Sequence, residues 1–123
     1  MNTALVVDDH PLTRGFIRSV LERHGWVVLE ASDEATAGEA VRDATQPVTV
    51  AIIDIELPGP GGSDIARSLQ SLQDLPVLFM SGYDRDDLVA QGKLDSSAAM
   101  LTKPFTVQSL LTAIDARIPP ARG

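Results

Sequence analysis

The sequence predicts an α/β fold, namely a doubly wound, five-stranded parallel sheet of the form (βα)5. Within 123 residues, five short apolar runs alternate with five longer amphipathic segments, and such alternation is typical of a parallel sheet with helices on both faces. Several of these runs are continuously apolar, which indicates strands covered on both sides. The length suits one domain that can bury a core without disulfides or metals as supports.

Each predicted strand is an apolar run of four to seven residues between helical segments. The five strands are ALVV at 4–7, WVVLEA at 26–31, VTVAIID at 48–54, PVLFM at 76–80 and AAML at 98–101. The third is unusual because it ends in Asp54 and is followed at once by the turn-forming run PGPGG at 58–62. Ionised carboxylates are rarely buried without a partner or a metal, so this residue needs an explanation.

The five segments of helical period follow the strands in order, with the fourth, at about 85–94, interrupted by Gly92. In the other four segments, the apolar positions should face the core. In chain order they are Leu12, Phe16, Val20 and Leu21 in the first; Ala37, Ala40, Val41 and Ala44 in the second; Ile65, Ala66, Leu69 and Leu72 in the third; and Val107, Leu110, Leu111, Ile114 and Ile118 in the fifth. Residues suited to helix starts and stops are Pro11 and Gly25, Ser32 or Asp33, Ser63, Thr106, and Pro119-Pro120.

Composition excludes several classes of function. The chain has no cysteine, so it carries neither disulfides nor thiolate chemistry, which suits a cytoplasmic protein. Its 10 basic and 17 acidic residues give a net charge of −7, which disfavours nucleic acid or an anionic membrane as the main partner. No apolar run has the length of a membrane span, and the N-terminus lacks the basic region of a signal peptide.

Chemistry-bearing residues follow the predicted strands, at the edge where ligands bind in such folds. Asp8 and Asp9 follow strand one, Asp54 ends strand three, Ser81 follows strand four and Lys103 follows strand five. Three carboxylates at this edge repel one another, at about 4 kcal/mol per pair at 4 Å and an effective dielectric of 20. A magnesium ion removes that cost and takes one or two carboxylates, so Asp9 and Asp54 are the natural ligands, with Asp8 close behind.

The same edge has the groups that phosphoryl transfer requires. Lys103 can pair with a carboxylate or a phosphate, and Ser81 can donate to a phosphoryl oxygen. Positioning and positive charge are what phosphoryl transfer needs, and an aspartate that acts as the nucleophile becomes an aspartyl phosphate. The run at 58–62 lacks a phosphate-loop pattern, so it does not indicate a nucleotide site.

Taken together, these motifs resemble the receiver domain of two-component response regulators, in the CheY-like superfamily. The residues that carry the resemblance are Asp8-Asp9, Asp54 followed by Leu57-Pro58 and Gly62, Ser81-Gly82, and Lys103-Pro104-Phe105. The resemblance implies a flavodoxin-like sheet with strand order 2-1-3-4-5 and a receiver domain over 1–118. We expect 119–123 to be a C-terminal tail or the start of a linker, in a stand-alone receiver or in part of a longer regulator or hybrid kinase.

For the acidic residues, the resemblance implies specific roles. Asp54 would accept a phosphoryl group from a histidine kinase or a histidine phosphotransfer protein. Asp9 would be the main magnesium carboxylate and Asp8 an outer helper, and the backbone carbonyl of Glu56 would complete the metal shell. Mn²⁺ or Ca²⁺ can substitute for Mg²⁺ in such a site. The domain would catalyse only its own phosphorylation and dephosphorylation, and would not be an enzyme in the usual sense.

The resemblance also implies a switch. Ser81 would move to the phosphoryl group, Lys103 would contact it, and the Lys103–Pro104 bond would be cis. The change would reach a downstream protein through the face made by helix four, strand five and helix five, in a monomer or a weak, phosphorylation-dependent dimer.

Two positions depart from the family pattern. Met100 stands three residues before Lys103, where the family has an aromatic switch residue, so a flexible methionine would have to repack instead. Glu56 places an acidic side chain beside the phosphorylation site, and our hypothesis is that it disfavours a nearby phosphate or positions a water. Tyr83, in the loop beside the site, is a candidate to replace the missing ring.

Two other functions are compatible with parts of the sequence. A degenerate receiver would act as a phosphorylation-independent interaction module, which Met100 favours and the intact Asp9, Asp54, Ser81 and Lys103 disfavour. A small haloacid-dehalogenase-like phosphatase also uses an aspartate nucleophile, but that family places it after the first strand and needs a longer chain.

Overall fold

A computed structural model describes residues 2–118 of the protein. Its elements, in chain order, are β1 Thr3–Val7, α1 Pro11–Arg23, β2 Val27–Ala31, α2 Glu34–Asp43, β3 Val50–Asp54, α3 Gly62–Gln70, β4 Val77–Ser81, α4 Arg85–Ala90, β5 Met100–Thr102 and α5 Val107–Arg117. The strands are parallel in the order β2-β1-β3-β4-β5. The predicted fold class and strand order are therefore confirmed.

The three central strands, β1, β3 and β4, are buried at every residue. Successive side chains of a strand point to opposite faces, and the two faces of this sheet form two separate cores. Leu5 and Val7 pack on the side of α2 and α3, whereas Ala4 and Val6 pack with residues of α1 and α5. Burial on both faces explains why these strands read as continuous apolar runs.

Two helix starts follow the predicted caps. The Asp33 side chain accepts a hydrogen bond from the Thr36 N–H at 2.8 Å, so Asp33 rather than Ser32 caps α2. Thr106 caps α5 and accepts from the Ser109 N–H at 3.0 Å. Each cap satisfies one of the backbone donors that a helix leaves unpaired in its first turn.

The predicted cap of α3 is wrong. Gly61 occupies the N-cap position and makes no side-chain cap bond, whereas Ser63 lies inside the helix and donates its hydroxyl to the Lys93 carbonyl. The helix starts earlier because the Gly62 N–H returns to the Ile55 carbonyl at 3.2 Å.

Helix α4 and strand β5 also differ from their predicted ranges. Helix α4 covers 85–90 rather than 85–94, because Gly92 adopts the left-handed conformation, with φ +74°, and ends it. Strand β5 covers 100–102 rather than 98–101, since the Ala98 N–H bonds to Asp95 in a turn and pairing with β4 begins at Met100.

Some apolar residues expected in the core are exposed instead. They are Leu12 (89% exposed), Phe16 (42%), Leu72 (41%) and Val107 (43%). In α1 the buried stripe begins at Ile17, one turn later than the apolar pattern suggested. Leu72 lies beyond the end of α3, and Val107 is the first residue of α5, so neither is covered by the sheet.

Pro119-Pro120, predicted to end the last helix, lie outside the described residues; α5 ends at Arg117. Among residues 2–118, no helix has the length and apolar character needed to cross a membrane.

Candidate functional site

Three polar side chains are buried where the carboxyl ends of the central strands meet. Asp8 is 0%, Asp54 2% and Ser81 0% exposed. Strand β3 lies between β1 and β4, with Val7 paired to Ile53 and Asp54 paired to Met80. This register brings residues that are far apart in the chain to one edge of the sheet, as the sequence predicted.

Lys103 supplies the positive charge at this edge. Its Nζ lies 3.0 Å from Oδ2 of Asp8 and 3.5 Å from Oδ2 of Asp54. Burial lowers the pKa of Lys103, but the hydrogen bond to Asp8 and the charges of both carboxylates outweigh it, so the pKa is raised. The lysine is therefore held in its charged form between the two carboxylates.

The Asp54 carboxyl group has its pKa raised above the ordinary value. Burial is the main cause, and the charges of Asp8 and Glu56 add to it. Lys103 opposes the rise, as does the Glu56 N–H, which donates to Oδ1 of Asp54 at 3.1 Å. An additional cation at this edge would offset the cost of keeping Asp54 ionised.

The loop after β1 is held in place by backbone contacts. The His10 N–H donates to Oδ1 of Asp8 at 2.9 Å, and Arg14 donates to the Asp8 carbonyl at 2.6 Å. Arg14 in turn pairs with Glu30 on β2 at 3.2 Å. The position of the buried carboxylate therefore depends on both the loop and the first helix.

Four side chains form a cluster that can hold a cation. Oxygen or nitrogen atoms of Asp8, Asp9, His10 and Asp54 all lie within 4.8 Å of one another. The sequence predicts the three aspartates at this place, but indicates only a loop or cap role for His10. That residue does occupy the N-cap position of α1, yet its Nδ1 lies 3.2 Å from Asp8 and 3.1 Å from Asp9. Three carboxylates at this spacing fit a hard divalent ion.

Glu56 makes contacts that the sequence did not predict. Its Oε2 accepts the Ser81 hydroxyl at 2.7 Å, and its Oε1 accepts the Gly82 N–H at 3.3 Å. The Ser81 hydroxyl oxygen also accepts the Tyr83 N–H at 3.0 Å. The hydroxyl expected to donate to a phosphoryl group thus donates to a carboxylate of the β3–α3 loop.

Gly62 lets α3 begin against the end of β3. A Cβ at this position would lie 2.5 Å from the Asp54 carbonyl oxygen and 2.8 Å from the Ile55 Cα. Contacts this short cannot form without movement of the backbone, so a side chain here would displace the strand end that carries Asp54. This is the physical reason for a glycine after the PGPG turn.

The remaining predicted residues lie around the cluster. Met100 is half-buried on the face of the sheet that packs against α2 and α3, and Tyr83 is exposed. The Lys103–Pro104 peptide bond is cis.

Two surface depressions lie beside α3. One of about 640 Å³ is lined by Asp9, Glu56 and the β3–α3 loop. A larger one of about 720 Å³, between α3 and 92–99, contains none of the predicted site residues. The smaller depression is the relevant one, because it opens onto the acidic cluster.

Comparison with known proteins agrees with this geometry. The sequence model of the response regulator receiver domain matches residues 4–115. The chain is 30% identical over 106 residues to the aerobic respiration control protein ArcA of Escherichia coli, covering 86% of this chain and 44% of that protein. It is 30% identical over 115 residues to the probable transcriptional regulatory protein TcrX of Mycobacterium tuberculosis, covering 93% and 48%. The chain thus spans about half the length of these relatives.

Solved structures show the same architecture. A response regulator receiver domain protein from Clostridium thermocellum superimposes with a TM-score of 0.80 at 29% identity, covering 96% of this chain and 94% of that one. The chemotaxis protein CheY4 of Vibrio cholerae superimposes with a TM-score of 0.84 over 96% and 99% of the two chains, and at 23% identity it supports the fold alone. Given the extent of the family match, the chain belongs to the response regulator receiver domain family.

Proposed function

We propose that this protein is a phosphorylation-activated switch in a two-component phosphorelay, with Asp54 as the phosphoacceptor. The observation that carries the proposal is the buried Asp54 carboxylate, 3.5 Å from the Lys103 ammonium and within 4.8 Å of the Asp8 and Asp9 side chains. Convergent titratable groups with a raised carboxyl pKa are typical of functional sites. Membership of the receiver family supports phosphoryl transfer to the aspartate as the reaction of this site.

In the proposed reaction, one Asp54 oxygen attacks the phosphorus of a phosphohistidine. The P–N bond breaks and an acyl phosphate forms. The phosphohistidine ring is protonated on its other nitrogen, so it keeps that proton, takes the electron pair of the P–N bond and leaves as the neutral imidazole. Lys103 carries the positive charge that faces the incoming phosphoryl oxygens. Asp8 holds that lysine through the 3.0 Å contact.

A divalent cation would be held by Asp9, Asp54 and the Glu56 backbone carbonyl, with Asp8 as an outer helper. When bound, Mg²⁺ supplies positive charge that offsets the phosphoryl oxygens and the carboxylates. The oxygen-rich set also suits Mn²⁺ or Ca²⁺. His10 is within reach of the same position.

The phosphodonor would dock on an apolar surface beside the site. Leu12 and Phe16 on α1 are exposed and line a groove of about 480 Å³ with Lys103, Pro104 and Phe105. The rings of Phe16 and Phe105 lie 6.0 Å apart. A donor whose histidine reaches Asp54 must cover this edge, and an exposed apolar patch there is suited to a protein partner.

Phosphorylation would then act on the loops after β3 and β4. The phosphoryl oxygens on Asp54 would attract the hydrogen-bond donors of these loops and change the loop conformation. That conformational change would reach a downstream protein through the face made by α4, β5 and α5. Met100, on β5 and packed against the core, is the proposed repacking residue.

Acetyl phosphate with Mg²⁺ tests the proposal. We expect an acid-stable, base-labile phosphoryl adduct by intact mass, abolished in Asp54→Asn. If the folded wild-type protein forms no adduct with acetyl phosphate or with a phosphorylated donor, the proposal is overturned in favour of a phosphorylation-independent interaction module.

A further inference from the structure

The Glu56 carboxylate is bound by hydrogen-bond donors that lie at the end of β4, the strand next to the one that ends in Asp54. Its two oxygens accept from two donors of the β4–α4 loop, the Ser81 hydroxyl at 2.7 Å and the Gly82 N–H at 3.3 Å. Its own backbone N–H donates to Asp54 at 3.1 Å. Glu56 thus contacts the proposed phosphoacceptor through its backbone and the donors of the neighbouring loop through its side chain.

The Ser81 hydroxyl has little freedom to serve a second acceptor. A hydroxyl has a single proton to donate, and Ser81 is fully buried. Its oxygen accepts the Tyr83 N–H at 3.0 Å, so both roles of this hydroxyl are filled. A phosphoryl oxygen on Asp54 can receive that proton only after Glu56 has left.

We propose that Glu56 is an internal occupant of the phosphoryl subsite, a latch that holds the Ser81 and Gly82 donors until a phosphoryl group displaces it. This inference rests on the proposed function, in which Asp54 is the phosphoacceptor. Displacement frees the Glu56 side chain and breaks a direct link between the β3–α3 and β4–α4 loops. Phosphorylation therefore separates two loops that the unphosphorylated protein ties together.

The latch differs from simple repulsion between Glu56 and the phosphoryl charge. Glu56→Asp keeps the charge but shortens the side chain by one methylene, about 1.5 Å, so its carboxylate no longer reaches the Ser81 hydroxyl. Glu56→Ala removes both charge and contact. Repulsion alone predicts that Glu56→Asp behaves as the wild type, whereas a latch predicts that it behaves like Glu56→Ala.

Beryllofluoride with Mg²⁺, a phosphoryl analogue that binds an aspartate carboxylate, tests this directly. We expect both Glu56→Asp and Glu56→Ala to bind it about tenfold or more tightly than the wild type, which is the scale of one hydrogen bond to a charged group. In a Ser81→Ala background, the gain from Glu56→Asp should largely vanish. The Gly82 amide resonance should move on adding beryllofluoride to the wild type, and should already be displaced in both Glu56 variants without it.

Each outcome has a defined reading. Equal affinity of Glu56→Asp and wild type, with an unmoved Gly82 resonance, overturns the latch and leaves the proposed function intact. Absence of beryllofluoride binding in the wild type and in every Glu56 variant overturns the proposed function itself, and the latch with it. Thermal unfolding of each variant confirms that it is folded, and Asp54→Asn provides the non-binding control.

Discussion

Replacing Gly62 by alanine should destabilise the protein and displace the strand end that carries Asp54, because the new methyl group has no room between α3 and β3. The added Cβ would lie 2.5 Å from the Asp54 carbonyl oxygen and 2.8 Å from the Ile55 Cα. Carbon atoms pack best at about 3.5–4.0 Å, so the start of α3 and the end of β3 must separate by roughly 0.7 Å. Both obstacles are backbone atoms, which no rotamer change can move aside.

The expected loss is about 1–3 kcal/mol of unfolding free energy, the usual cost of forcing extra atoms into a packed interior. Gly15→Ala is the matched control, because a Cβ added there would meet no atom within 4 Å and the residue sits in the exposed part of α1. There the same change should raise stability by up to about 1 kcal/mol, since alanine is the better helix former. The two glycine-to-alanine changes should therefore act in opposite directions.

Urea unfolding measures both effects, as a midpoint shift with unchanged slope. Acetyl phosphate labelling measures the second consequence of Gly62→Ala. Because the strand end that carries Asp54 must move, labelling should slow about tenfold or more. If Gly62→Ala unfolds at the wild-type urea concentration and is labelled at the wild-type rate, the close packing of α3 on β3 does not position the site.

Other expected outcomes concern charge and docking. Since burial raises the pKa of Asp54, its ionisation disfavours the folded state, and metal-free Asp54→Asn should be more stable than wild type at pH 7. This gain should shrink as the pH falls and disappear below the ordinary aspartate pKa, because the wild-type carboxyl group is then protonated in both the folded and the unfolded state. Equal urea midpoints of the two proteins at pH 7 would contradict this. Mg²⁺ at 100 times its dissociation constant should stabilise wild type by about 2.7 kcal/mol and Asp54→Asn much less, as calorimetry can measure. Lys103→Met leaves Asp8 and Asp54 without their cation and should cost about 3 kcal/mol, partly restored by Mg²⁺; a loss within error of zero would be inconsistent with the ion pairs. Leu12→Asp should slow transfer from a phosphohistidine donor severalfold without changing acetyl phosphate labelling, whereas Leu72→Asp, beyond the C-terminal end of α3, should change neither.

Strand-end residues were predictable because topology alone brings them together. Once alternating strands and helices indicate a parallel sheet, Asp8, Asp54 and Lys103 must lie at one edge, whatever the details of packing. The structure confirms that edge, with both carboxylates near the lysine.

Helix ends and exposed apolar residues were harder to predict, because they depend on tertiary contacts. Ser63 reads as a cap by composition, but the Gly62 N–H bond to Ile55 starts the helix earlier. Leu12 fits the apolar period of α1, yet only the packing of that helix on the sheet decides that it faces solvent. The intrinsic helix propensity of each residue does not include these tertiary contacts, which override it.

By itself, the sequence determined the fold class, the order of the elements and the acidic edge with its lysine, since each follows from a repeated apolar pattern and the direction of parallel strands. Only the tertiary structure decided which side chains at that edge contact one another. It placed His10 among the aspartates and joined Glu56 to Ser81. The physical reason is that such contacts depend on loop conformation and on distances of a few ångströms between residues far apart in the chain, which spacing along one sequence does not encode.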